Sequence, residues 1–203
     1  NPAGLSRIGK TEVLFSHARY LEGTDIKMNA FGIAQKAGKN GTFGVSLMSL
    51  DIGEIDVTTT NQPEGTGATF SPNFFHVGIG YAHMFENKIS VGITFRAISE
   101  AISDVSAFGF ALDAGVQYVT GPKDNFKFGI SLRNIGSRMS FAGQGLSFAT
   151  ENPDGTLSYD ITVNQRSAQF ELPSALNIGM SYDFNLDESN RFSIVGNFTA
   201  NSF

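Results

Sequence analysis

The chain has 203 residues, enough for one sizeable domain, and only 16% of them are charged, where a typical globular protein has ~25%. Hydrophobic residues make up 41% and aromatics 12%, which supplies enough apolar surface to offset ordering entropy and excludes a disordered chain. The net charge of −5 with no Lys/Arg cluster excludes a nucleic-acid footprint, and the absence of cysteine excludes a disulfide scaffold, thiol catalysis and a Cys-ligated zinc site.

The chain opens at Asn1 with neither an initiator methionine nor the apolar core of a leader, and reads as a processed or truncated product. No apolar run reaches the ~18 residues of a membrane-spanning helix. Period-2 alternation dominates instead. Phe75, Val77, Ile79 and Tyr81 share one face, with His76, Gly78, Gly80 and Ala82 on the other. After the turn at 86–88, Ile89, Val91, Ile93 and Phe95 alternate with Ser90, Gly92, Thr94 and Arg96. Phe108, Phe110, Leu112, Ala114, Val116 and Tyr118 then alternate with Gly109, Ala111, Asp113, Gly115 and Gln117. Phe126, Phe128, Ile130 and Leu132 oppose Lys127, Gly129, Ser131 and Arg133; Leu176, Ile178, Met180, Tyr182 and Phe184 oppose Asn177, Gly179, Ser181 and Asp183. The pattern predicts about nine strands, many of them longer than the ~5–6 residues usual in globular proteins. The stretch from Arg191 to Phe203 alternates only weakly.

The less apolar face is mostly Gly, Ser, Ala and Thr, where a water-facing sheet carries long polar side chains. The other face is almost pure Val, Ile, Leu and Phe. A soluble barrel or sandwich fills its interior with the large side chains. A barrel in lipid inverts this, with an apolar band outside and every backbone group paired by closure. The predicted fold is therefore all-β, an antiparallel transmembrane β-barrel. Short turns at 37–41, 86–88, 121–125 and 185–190 alternate with longer links at 21–27, 59–72, 101–106 and 141–167. This is the rhythm of periplasmic turns and extracellular loops. Phe43, Phe85, Tyr118, Phe126, Phe184 and Phe192 lie close to the short turns and predict a periplasmic aromatic girdle.

Chemistry-bearing patterns are sparse. His17, His76 and His83 find no carboxylate at a spacing that makes a metal site or an acid–base pair. No phosphate-binding glycine loop or nucleophile elbow occurs. The expectation is therefore no catalytic residue, no metal, no cofactor and no enzymatic activity. Charged residues at inward positions are the functional candidates: Arg96, Glu100, Asp113, Lys127, Arg133, Glu171 and Asp183. They fit either a salt-bridged network that stiffens a lumen or a polar conduit for a solute. The 141–167 link carries the β-turn signal Asn152-Pro153-Asp154-Gly155 between Phe148 and Tyr159, a hairpin that could cap the barrel or meet a partner.

Nine strands cannot close as a single-chain bacterial barrel, which has an even number. The expectation is that 11–203 is a transmembrane barrel incomplete at its C-terminus. Asn1-Pro2-Ala3-Gly4-Leu5, followed by Glu12-Val13-Leu14-Phe15-Ser16-His17, resembles the opening of PorV/PorQ-family outer-membrane proteins. These belong to the wider group shaped like the long-chain fatty acid transporter FadL. Gly41-Thr42-Phe43-Gly44-Val45-Ser46-Leu47, Ala111-Leu112-Asp113-Ala114-Gly115 with Tyr118, Leu132-Arg133-Asn134-Ile135-Gly136, and Glu171 through Gly179 add matches in order along nearly the whole chain. The resemblance implies a FadL-like barrel of fourteen strands when complete, with residues 1–10 as a lumenal plug. It implies a Bacteroidetes outer membrane and the type IX secretion system, with the large translocon barrel, cargo C-terminal signal domains and outer-membrane lipid as partners. A FadL-like channel for a small hydrophobic solute is the alternative.

Overall fold

A computed structural model describes residues 1–151, 159–187 and 189–201. The chain begins with a 3-10 helix, Pro2–Arg7, capped by the Asn1 side chain, which accepts from the Ala3 N–H at 3.0 Å. The strands follow: β1 (Thr11–Arg19), β2 (Lys27–Ala37), β3 (Gly41–Asp51), β4 (Ile55–Asp56), β5 (Thr69–Phe70), β6 (Asn73–Phe85), β7 (Ile89–Ile102) and β8 (Val105–Thr120). Then come β9 (Phe126–Gly136), β10 (Ala142–Gly143), β11 (Ser147–Glu151), β12 (Asp160–Asn164), β13 (Ala175–Asn185) and β14 (Arg191–Asn201). Nine long strands make one antiparallel sheet in the order β1-β2-β3-β6-β7-β8-β9-β13-β14, each beside the next long strand in sequence. Strands β1 and β14 are its edges, and β10 adds to the end of β8. Two small hairpins, β4–β5 and β11–β12, stand apart from it.

The register fixes the faces, because partners across an antiparallel ladder point to the same side. One row runs Val13, Ile33, Val45, Ile79, Phe95, Leu112; the next runs Glu12, Ala34, Gly44, Gly80, Thr94, Asp113. Another small-residue row runs Thr42, Ala82, Gly92, Gly115, Ser131, Asn177, Thr199. The apolar side is the exposed one: Ile79 is 59%, Ile93 47% and Ile130 38% accessible, while Ser131 is 4%. The N-terminal 3-10 helix packs on the small-residue side against β3, β6, β7 and β8. Glycine is required there. A Cβ at Gly44 or Gly80 would lie 2.9 Å from the Leu5 methyls, one at Gly92 would collide with the Pro2 backbone, and one at Gly115 with the Asn1 side chain.

One expectation about the links needs correcting. The link at 101–106 is not long: residues 101, 102, 105 and 106 are paired, and only Ser103-Asp104 turn, with Ser103 at φ 50°. Strands β7 and β8 instead run on past their neighbours, to 14 and 16 residues. The weakly alternating stretch after Arg191 is a full strand, paired with β13 from Asn185↔Arg191 to Ala175↔Asn201. Val195 on the small-residue side and Gly196 on the apolar side blur its pattern.

The connection from β9 to β13 folds back over the small-residue face. Met139 and Phe170 exchange two backbone hydrogen bonds of 2.8 Å, and Phe141 stacks on Phe170 at 5.6 Å. Met139, Phe141, Phe170 and Leu172 pack with Ile98, Ala107 and Ala111 in a small apolar core inside the sheet. A cap over that end results.

Candidate functional site in the sheet interior

The inward charges are mostly paired. Arg96 on β7 donates from Nη2 to Asp113 Oδ1 on β8 at 2.7 Å, and also to Asn134 Oδ1. Both side chains of this ion pair are nearly buried, at 14% and 10% exposure. A β-bulge supplies the third member. Between Leu112 and Ala114 the β8–β9 register shifts so that Arg133 and Asn134 together oppose Asp113. Asn134 adopts φ 60°, its backbone N–H donates to Asp113 Oδ1 at 2.8 Å, and its side-chain amide donates to the Pro173 carbonyl at 2.8 Å. The network thus ties β7, β8, β9 and the segment entering β13.

A second cluster lies toward the short turns. Lys127 on β9 donates to Asp183 Oδ2 on β13 at 2.7 Å, and Ser193 on β14 donates to Asp183 Oδ1 at 2.6 Å. Arg191 Nη1 is 3.7 Å from the same carboxylate. Below it, in the β13–β14 turn, the Asn190 amide and the Ser189 and Asn190 backbone N–H groups hold the Asp187 carboxyl below its usual range. Glu100 is half-buried on the inward side of β7, and Arg133 is exposed on the inward side of β9.

Glu171 is placed elsewhere. It precedes β13 in the segment that folds back over the small-residue face, where its neighbours Phe170 and Leu172 pack against the apolar core. Its carboxylate pairs with Arg138 at 2.6 Å, both side chains about two-thirds exposed. Asn134 is the member that sequence reasoning missed. Its signal was the doublet Arg133-Asn134, two polar residues in succession where strict alternation allows one.

Two cavities flank the N-terminal helix. One of about 940 Å³ is lined by Leu5, Ile8, His76, Arg96, Asp113 and Arg133 among others. One of about 520 Å³ lies toward β13 and β14, with Gln117, Lys127, Ser131, Asn177, Gly179 and Asn197 in its wall. Among the described residues no group of three or more His, Asp and Glu side chains could hold a metal ion.

All six girdle positions fall on the apolar face. Phe43 packs on Tyr81 at 4.8 Å, His83 on Phe85 at 4.6 Å, and Phe184 near Phe192 at 6.2 Å. Tyr118 pairs across the ladder with Ile89, and Phe126 with Tyr182. The His83 ring also lies within hydrogen-bond reach of the Tyr81 hydroxyl, at 3.2 Å. At the far rim, β11–β12 pairs Phe148 with Val163, and Phe148 and Tyr159 are exposed. Asn152 and Asp154, expected at its turn, lie outside the described residues.

Against known proteins, no family model matches the chain, and no curated protein matches it.

Proposed function

We propose that this chain is the wall of a bacterial outer-membrane β-barrel without enzymatic chemistry. In this reading it is of the PorV/PorQ type, a component of or accessory to type IX protein secretion. Its rim and outer wall dock the large translocon barrel and the C-terminal signal domains of cargo. The observation that supports this most is the inverted sheet: nine long strands expose Ile, Val, Leu and Phe on one side and keep Gly, Ser and Thr inside. In water such a wall far exceeds the apolar patch a soluble monomer tolerates. In hydrocarbon the same wall carries no penalty, and strands of 9 to 16 residues meet the ~9–11 needed to cross it. Closure then runs through β1 and β14, bridged by further strands as in the fourteen-stranded family.

The docking role draws on the ordered motifs that resemble PorV/PorQ proteins and on the exposed Phe148 in the β11–β12 hairpin and Tyr159 beside it. The alternative, a FadL-like channel for a small hydrophobic solute, draws on Leu5 and Ile8 in the larger cavity. The test is to express the full-length protein in its native envelope, fractionate by density, and isolate it with whatever accompanies it. The expected outcome is heat-modifiable migration in the outer-membrane fraction, with a large barrel and secreted cargo co-purifying. Recovery in the soluble fraction overturns the barrel; outer-membrane recovery without those partners overturns the docking role alone.

A further inference from the structure

The apolar band on the outer wall is not equally tall around the sheet. Along β8 every outward position from Phe108 to Tyr118 is apolar or aromatic, and along β13 every one from Leu176 to Phe184. On β1 the outward apolar residues are only Val13 and Phe15, and opposite them on β2 only Phe31 and Ile33. Outward residues recur at every second position, ~6.8 Å along a strand, which a tilt of roughly 35–45° reduces to about 5 Å along the membrane normal. The runs on β8 and β13 therefore cover the ~25 Å band of a barrel wall, whereas the pair on β1 covers only about 10 Å.

Polar pairs bracket this short band on the same face. Thr11 Oγ1 donates to Gln35 Oε1 at 2.6 Å, and His17 Nδ1 lies 2.7 Å from Asn29 Oδ1. Thr11 and His17 stand about 15 Å apart along the normal, so a hydrocarbon layer of ~25 Å does not fit between the pairs and at least one of them faces it. Acyl chains offer such groups no hydrogen bond, and thinning the layer to the height of this band costs more with every ångström of mismatch. A protein surface meets the same depth with its own donors and acceptors. One step beyond His17 and Asn29, Arg19 and Lys27 face each other across the ladder, and among the described residues neither makes an ion pair. Asp51, on the other side of Lys27, accepts instead from the Gly53 N–H at 2.9 Å and the Ser71 hydroxyl at 3.3 Å. Like charges opposed in this way favour an acidic group on whatever covers them. A second copy of the chain does not bring one: a two-fold axis along the membrane normal keeps each residue at its own depth and sets cation against cation.

We propose that the outer face of β1 and β2 is the seat of a second, different membrane-embedded barrel, whose wall brings hydrogen-bonding and acidic side chains to Thr11, His17, Asn29, Gln35 and Arg19. This rests on the barrel and docking reading above and gives the docking its place. In the full-length protein in its native outer membrane, the photoreactive p-benzoylphenylalanine replaces Phe15 or Phe31 within the face, or Phe95 or Phe110 on β7 and β8. Illumination is expected to join the first two to one other barrel, identified by peptide sequencing, and the last two to lipid alone. A fourfold variant, Thr11→Val, His17→Leu, Asn29→Leu and Gln35→Leu, extends the apolar band. It is expected to insert with heat-modifiable migration and to lose the co-purifying barrel. Labels at positions 15 and 31 that join only lipid, or a second copy of the chain, overturn this face, as does a fourfold variant that retains the partner like the parent. A partner that co-purifies but joins only the labels on β7 or β8 leaves the docking role standing and overturns this face. A parent protein in the outer membrane that recovers no second barrel overturns the docking role and the face together. A protein absent from the outer-membrane fraction overturns the barrel, and the face with it.

Discussion

Arg96 and Asp113 show what a buried charge needs. Each alone would be expensive on the inward side of a sheet, and Asn134 relieves both by supplying an acceptor for Arg96 Nη2 and a backbone donor for Asp113, while Arg96 Nε has no hydrogen-bond partner among the described residues. Removing one partner strands the other. Arg96→Leu is expected to destabilise the protein by about 3–5 kcal/mol, read from urea unfolding in vesicles, while the double change Arg96→Met with Asp113→Leu recovers most of that loss. The pair itself was legible, since both residues interrupt runs of small inward positions. Their contact was not: Thr94, not Arg96, sits directly opposite Asp113 in the β7–β8 ladder, and the arginine reaches it diagonally.

The N-terminal helix and the glycines of β6–β8 form one packing unit. A helix of six residues has little stability of its own. It persists because Gly80, Gly92 and Gly115 let its backbone and Leu5 approach the sheet more closely than any other residue allows. Gly92→Val forces the segment off its seat, an overpacking worth about 1–3 kcal/mol. The expected result is faster tryptic cleavage after Arg7 in the folded protein, with far-UV circular dichroism unchanged; unchanged cleavage rejects the seat. The alternation announced the strands themselves, because period 2 is a local property of the backbone. Two features escaped it. The β7–β8 turn is only two residues long because Ala101, Ile102, Val105 and Ser106 pair, which no local composition forces. The fold-back of Met139 and Phe170 over Ile98 joins residues far apart in the chain.

The exposed apolar wall governs how the molecule behaves as a whole. Ile79 sits mid-row between Val45 and Phe95, and more than half of it is accessible. Facing lipid near the middle of the bilayer, Ile79→Arg costs roughly 2–4 kcal/mol. Facing water, the same surface change stays within about 0.5 kcal/mol. Urea titration of the variant in vesicles separates these outcomes, and a near-zero change counts against the membrane. The amino-acid order alone set the number of long strands, the two faces and which of them is apolar, because side chains alternate residue by residue along an extended backbone. It could not set which glycines carry the N-terminal helix, which charges meet across the β8–β9 bulge, or that Glu171 meets Arg138. Those depend on register and on chain segments returning over the sheet, and a one-residue slip in either would exchange every neighbour.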